Sequence, residues 1–232
     1  MANYLKESVC IVGQNTFDHK NFSQQDLSQQ EFNGSTFSYC NFAGANLRSA
    51  ELSDCEFHHC EFNDRASELP ADLSYANIRH SCFYHCNLTV VDAIHMKAYG
   101  ARFEQCQMQG LDLQYADFCM PVAQSNLVDL HIQDCNLSFA NLSHCYLSQA
   151  LIKGCRCIEV CLDYADLTGA EIVDCELHGL QATGLTIVDA DLRGSAFNNL
   201  NPTVIDMTGV RLDPEQLMYL AEALGIVVES RA

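Results

Sequence analysis

Residues 32–62 read FNGST FSYCN FAGAN LRSAE LSDCE FHHCE F, with a large apolar residue at every fifth place: Phe32, Phe37, Phe42, Leu47, Leu52, Phe57 and Phe62. A period of five fits neither the 3.6 of an amphipathic helix nor the alternation of a half-buried strand. A fixed period held over many units marks a repeat architecture. Toward the N-terminus the frame continues through Leu27, Phe22 and Phe17. Two places before each large residue stands a small one: Ser35, Cys40, Ala45, Ala50, Cys55 and Cys60. Each unit therefore turns two side chains inward, one large and one small.

The frame runs on in two further blocks. One holds Leu73, Ile78, Phe83, Leu88, Ala93, Ala98, Phe103, Met108, Leu113 and Phe118; the other starts at Leu127 and passes through Ile132, Leu137 and their successors to Phe197. Between Ser35 and Phe197 neither inward slot carries a charge, whereas Lys20, Gln25 and Gln30 stand in the small slot near the start, where an end coil meets water.

Units such as Ala45-Asn46-Leu47, Ala140-Asn141-Leu142, Ala165-Asp166-Leu167 and Ala190-Asp191-Leu192 resemble the A(D/N)LXX motif of pentapeptide-repeat proteins. The resemblance covers roughly residues 15 to 200 and implies an all-β fold, a right-handed quadrilateral β-helix with four units to a coil. Coils that pair backbone to backbone rise about 4.8 Å each, so some nine coils make a rod on the order of 40 Å. The expected organisation is a lead-in at 1–14, the solenoid at 15–212 with loops at about 63–72 and 119–126, and a capping segment at 213–232.

Fourteen cysteines would invite a disulfide reading in a secreted chain. Nine of them (Cys40, Cys55, Cys60, Cys86, Cys106, Cys135, Cys145, Cys155, Cys175) occupy the small inward slot, where a thiol acts as a small hydrophobe. No signal peptide or apolar span is visible, so the expectation is a cytoplasmic protein with reduced thiols and no membrane association. His58-His59-Cys60 and Cys82-x-x-His85-Cys86 have the composition of metal ligands. In the repeat frame the histidines point out while Cys60 and Cys86 point in, which leaves Cys82 with His85 as the one convergent pair and no metal site expected. No catalytic or dinucleotide motif is present, and a convex rod offers no reaction pocket. Neither enzyme activity nor a cofactor is expected.

The formal charge is −18, from 12 basic and 30 acidic residues. Much of it falls in the slot just before the large residue, which should face outward: Glu51, Glu56, Glu61, Asp72, Asp92, Asp112, Asp117, Asp166, Glu171, Glu176 and Asp191. Residues twenty apart should align, so Asp72, Asp92 and Asp112 should form one column. Such a surface repels phosphates and excludes direct nucleic-acid binding. Duplex DNA carries a charge per ~1.7 Å, about 24 over 40 Å, so this rod approaches the charge density of a duplex. Acidic residues that only keep a β-rich solenoid soluble are the plainer reading.

Two interruptions stand out. Leu73 follows Phe62 by eleven positions instead of ten, across Asp64, Arg65, Ser67 and Glu68; Leu127 follows Phe118 by nine, across Met120, Pro121 and Val122. Each reads as a loop leaving a rigid scaffold, a common place for binding function. At the end, Asp213, Pro214 and Gln216 read as N-cap, first helical residue and capping box, followed by Leu217, Leu220 and Leu224 at helical spacing and Gly225 as stop. A helix covering the last coil removes an open sheet edge. The apolar tail Ile226, Val227 and Val228, with Leu217, Leu220 and Leu224 of the helix, points to a two-fold, end-to-end homodimer.

The loop after Cys60-Glu-Phe-Asn-Asp-Arg65, the second after Ala116-Asp-Phe118, the stretch Cys135-Asn-Leu-Ser-Phe-Ala-Asn-Leu142 and the ending Leu224-Gly-Ile-Val-Val228 together resemble the Qnr group. That resemblance implies an acidic rod dimer that mimics DNA, binds DNA gyrase or topoisomerase IV, and protects them from quinolones with both loops involved. The alternative is a pentapeptide-repeat scaffold for some other protein partner.

Overall fold

The computed structural model describes residues 15–64, 69–122, 125–198 and 200–227. It is a right-handed quadrilateral β-helix of about nine turns, closed by one short helix. In chain order its strands are β1 (Thr16–Asp18), β2 (Thr36–Ser38), β3 (Glu56–His58), β4 (Asn63–Asp64), β5 (Leu69–Pro70), β6 (Cys82–Tyr84), β7 (Ala101–Glu104), β8 (Cys119–Val122), β9 (Ser125–Val128), β10 (Leu130–Gln133), β11 (Leu151–Lys153), β12 (Glu171–Val173), β13 (Glu176–Leu177) and β14 (Ala196–Phe197). The lead-in at 1–14, Arg65, Ser67, Glu68 and Val228 lie outside the described residues.

The first face is a parallel sheet in the order β1-β2-β3-β6-β7-β10-β11-β12. Its register puts Phe17 beside Phe37, then Phe57, Phe83, Phe103, Ile132, Ile152 and Ile172. The other faces are held by single parallel bridges. Asn21, Asn41, Glu61, Asn87, Gln107 and Asn136 run up the second face. Asp26, Asn46, Asp72, Asp92, Asp112 and Asn141 run up the third, and Glu31, Glu51, Asn77, Lys97 and Asp117 up the fourth.

Stacking follows from that register. The rings of Phe17 and Phe37, Phe37 and Phe57, and Phe83 and Phe103 lie 4.9 Å apart, those of Phe57 and Phe83 4.5 Å. A second column, Phe22, Phe42 and Phe62, has the same 4.9 Å step. The large residues of the coils are buried from Phe32 to Phe118 and from Ile132 to Leu177, whereas Phe17, Phe22 and Leu27 are half-exposed on the first coil.

Each corner needs one residue in the left-handed region, always two places after the large one. At Phe42 the turn closes through the Ala45 N–H to the Phe42 carbonyl at 2.8 Å, with Gly44 at φ 66°. Most corners use a residue with a side chain, among them Val90 at φ 51°. A β-branched residue is an outlier there. The Asp or Asn before the large residue secures the same corner: Asn41 Oδ1 accepts the Ala43 N–H at 2.9 Å, and Asp72 Oδ1 the Ser74 N–H at 2.8 Å. The small slot also has a polar task. Cys106 Sγ–H donates to the Phe83 carbonyl one coil earlier, while its sulfur accepts the Cys86 N–H. Ser195 does the same with the Ile172 carbonyl and the Cys175 N–H.

Cys40, Cys60, Cys86, Cys106, Cys135, Cys155 and Cys175 thus form one uninterrupted buried column of free thiols, continuous with Ser195. Outside that column, burial pushes the Cys55 thiol up to about 11 and the Cys145 thiol up to about 12, which suppresses the reactive thiolate at those two positions.

Both interruptions are antiparallel hairpins. In the first, Asn63 pairs with Pro70 and Asp64 with Leu69. The Ala71 N–H still donates to the Phe62 carbonyl at 2.7 Å, so the loop replaces the two residues of an ordinary corner. In the second, Cys119 pairs with Val128 and Met120 with Leu127. Leu127, read from the sequence as the opening of the third run, therefore belongs to the hairpin; the first large residue back in the coil is Ile132, beside Phe103. Its five-residue distance from Ile132 reflects chance phasing of an apolar hairpin residue.

Helix α1 (Pro214–Ala223) starts at Asp213, whose N–H donates to Gln216 Oε1 at 2.6 Å. Gln216 is buried and its amide donates to the Leu192 and Ser195 carbonyls at 2.6 Å, tying the helix to a late coil.

Two outcomes check this account. Val90→Asn, which suits a left-handed corner, should stabilise by about 1 kcal/mol and raise Tm by about 2–4 °C in a chain of this size. Alkylation of the native protein followed by mass spectrometry should mark the half-exposed Cys82, Cys119 and Cys161 while the buried column reacts only in denaturant.

Candidate protein-binding surface

The four-faced coil separates the carboxylates that the sequence groups together. Asp72, Asp92 and Asp112 stand on the third face; Glu51, Asp117 and Asp166 on the fourth; Glu61 and Glu176 on the second; Glu56, Glu171 and Asp191 on the first. The third and fourth faces adjoin, so six of these groups share one side of the rod with Asp26 and Glu31.

The third-face column is the most regular. Asp72, Asp92 and Asp112 bridge in sequence, a step of about 4.8 Å. Each uses Oδ1 to hold its own corner, accepting the Ser74 N–H at 2.8 Å, the Ile94 N–H at 3.2 Å and the Gln114 N–H at 3.0 Å. Arg48 stands 3.9 Å from Asp72 Oδ2. Asn46 and Asn141, in line with them, hold their corners through the same amide oxygen. At these five positions Asp and Asn make the same corner hydrogen bond, and only the charge distinguishes the two.

Elsewhere the charge is partly cancelled. Arg79 lies 3.4 Å from Asp117 and Arg156 3.4 Å from Glu176. Asp191 departs from the outward rule: its side chain is only 3% exposed, with Arg193 at 2.7 Å and Arg211 at 3.4 Å. It is a structural ion pair and no part of an exposed acidic surface. The hydrogen bond from Arg193, with the charges of Arg193 and Arg211, holds its carboxyl below the usual range.

The first hairpin leaves between the second face, at Phe62, and the third, at Leu73; the second leaves between the fourth, at Phe118, and the first, at Ile132. They therefore project from diagonally opposite corners. Leu69 lies over Gly44, where a Cβ would stand 3.4 Å from the Leu69 Cβ. A polar groove of about 500 Å³ at this hairpin's base is lined by Asn41, Glu61, Asn63, Asp64, His85 and Asn87. Met120 is exposed at the second hairpin, and Pro121 and Val122 extend the same strand.

At the far end Leu217, Leu224, Ile226 and Val227 are exposed, together with Met218 and Tyr219, which the sequence reading missed. Leu220, expected from the sequence at the dimer contact, is instead buried against the solenoid's own core and anchors the helix. Among the described residues no three His, Cys, Asp or Glu side chains converge on a metal position, and no helix is long and apolar enough to cross a membrane.

A further feature also escaped the sequence reading. Corner residues Tyr75, His95, Tyr115, His144 and Tyr164 stack along the third face at centroid distances of 5.0, 5.2, 4.7 and 5.1 Å. The signal was an aromatic residue at the same slot in five successive coils, hidden by the second hairpin between Tyr115 and His144.

The family model for pentapeptide repeats matches residues 26–64 and 131–169. The pentapeptide repeat protein QnrB4 of Escherichia coli is 31% identical over 87 residues, 37% of this chain, and the match spans 40% of that relative. Full-length QnrB1, a plasmid-mediated fluoroquinolone resistance protein, superimposes with a TM-score of 0.86 at 26% identity, covering 91% of this chain and 100% of that one. A trypsin-treated variant of QnrB1 matches with a TM-score of 0.82 at 26% identity over 94% of this chain and 100% of its own.

The Asp191 pair gives a pH test. Its depressed folded pKa contributes stability above the unfolded carboxyl value, lost as pH falls through the folded one. Thermal melts of Asp191→Asn should therefore fall below wild type at pH 7 and converge with it in strong acid.

Proposed function

The chain is a Qnr-type pentapeptide-repeat protein, and on that premise we propose that it binds the bacterial type II topoisomerases, DNA gyrase or topoisomerase IV, and protects them from quinolones by mimicking a DNA segment. The observation that carries this is the third-face column of Asp72, Asp92 and Asp112, flanked by the acids of the fourth face. A basic DNA-binding groove is attracted to such a line of charge, and steering of this kind weakens with salt. The polypeptide supplies no chemistry of its own. Asp64, Arg65, Ser67 and Glu68 of the first hairpin and Met120, Pro121 and Val122 of the second are the contacts proposed outside the rod. The apolar end formed by Leu217, Leu224, Ile226, Val227 and Val228 joins two copies. The cytoplasm, where the topoisomerases act, is the proposed location.

The test uses the equivalence of Asp and Asn at the corner. Asp72→Asn/Asp92→Asn/Asp112→Asn keeps the three corner hydrogen bonds and removes three charges. Its melting temperature should equal or exceed that of wild type. In a supercoiling assay with a fluoroquinolone, rescue of gyrase should require at least several-fold more protein. Full rescue by the triple variant would remove the column from the mechanism, and no rescue by wild type at modest excess would end the proposal.

The hairpins can be tested with the coil intact, because the Phe62–Ala71 hydrogen bond already closes the corner beneath the first one. Replacing residues 63–70 by Ala-Gly, the pair found at Ala43 and Gly44, should leave the circular dichroism spectrum and melting temperature close to wild type. Protection should be lost.

A further inference from the structure

Among the described corner residues that carry a side chain into the left-handed region, Val90 at φ 51° and Phe139 at φ 64° alone are wholly apolar; the others are His, Tyr, Gln, Ser, Asp or Glu. The two share one corner column, between the second and third faces. The Val90 N–H donates to the Gln109 carbonyl, the Gly110 N–H to the Ser138 carbonyl and the Phe139 N–H to the Ile158 carbonyl. These bonds set Val90, Gly110 and Phe139 one above the next on three successive coils. Val90 Cγ1 lies 3.0 Å from where a Gly110 Cβ would stand, so the valine covers the glycine corner on the way to Phe139. The first hairpin opens from the same column one coil before Val90, where the Phe62 N–H donates to the Asn87 carbonyl.

Both side chains face water, Val90 at 50% exposure and Phe139 at 60%. A β-branched or bulky residue is strained in the left-handed region, and an apolar side chain left in solvent returns none of the gain of burial. Asn would turn either corner more easily. Strained conformations held in place at exposed positions point to a use outside the fold. The strip also borders the charged column: Asp92 follows Val90 by two residues, and Asp112 follows Gly110 by two.

We propose that Val90 and Phe139 form an apolar contact strip for the protein partner, seating an apolar patch of its groove wall beside the basic residues that face Asp92 and Asp112. Charge complementarity places the groove on the aspartates, and the strip continues that surface from the first hairpin to Phe139. The strip rests on the reading given under Proposed function and adds a contact that the phosphate track of a duplex does not offer.

The test is equilibrium binding of the full chain to the gyrase holoenzyme at low and at high salt. Val90→Asn/Phe139→Asn places a residue suited to the corner at both positions, so its melting temperature should equal or exceed that of wild type. Its affinity should fall about tenfold, the scale of two apolar side chains covered at an interface. That loss should be the same at both salt concentrations, whereas the loss in Asp72→Asn/Asp92→Asn/Asp112→Asn should shrink as salt screens the charge. Tyr39→Asn, at a comparably exposed corner between the first and second faces, should bind as wild type does. Unchanged affinity in the double variant, a loss that fades with salt, or an equal loss in Tyr39→Asn would each overturn the strip and leave the DNA-mimic reading standing. Absence of binding by wild type would end that reading and the strip with it.

Discussion

Everything in this molecule depends on the parallel register between one coil and the next. A backbone that turns a corner every five residues and pairs with itself after twenty leaves each side chain one partner above and one below, about 4.8 Å away. Whatever residue type occupies a slot is forced into a column. Phenylalanines become the stacked core, thiols become a chain of buried hydrogen bonds, tyrosines and histidines become an exposed ring stack, and aspartates become a line of charge. Long-range order arises here from nearest-neighbour contacts alone, as in other repeat proteins.

The inward slots were legible from the sequence because burial excludes charge, and the period of five has no competitor among ordinary elements. The C-terminal helix was legible for an equally local reason, since Asp213, Pro214 and Gln216 are a cap signature whose partners lie within one turn. The lateral arrangement was harder to read. Assigning Glu51 and Glu61 to different faces requires counting units modulo four, and both hairpins break the count. Leu127 fell into frame because a hairpin strand also carries apolar residues. Asp191 obeyed the outward rule in backbone terms, yet Arg193 and Arg211 close over it, and no spacing within a single unit announces a partner from the next coil.

The polar slots also revise what the motif letters mean. Asp or Asn before the large residue looks like a surface preference, but its oxygen holds the corner N–H two residues on, as at Asn41, Asp72 and Asn141. Cys and Ser in the small slot look like space-fillers interchangeable with Ala. In the column from Cys40 to Ser195 they also bridge successive coils through a carbonyl and an N–H that the corner leaves without ladder partners. Both positions are first solutions to unsatisfied backbone groups, which carry a substantial penalty when buried.

This double use sharpens the argument about charge. If acidic residues served only solubility, nothing would favour placing them in register, because aligned carboxylates repel. Two unit charges about 4.8 Å apart in water cost about 0.9 kcal/mol before salt screening, and Asp72, Asp92 and Asp112 make two such contacts. Asn46 and Asn141, on the same face, secure their corners without that penalty. The column is therefore an elective concentration of charge, set where a neutral residue of the same shape would serve the fold better. A line of charge repeated over consecutive coils is the feature on which the proposed binding to an oppositely charged groove rests.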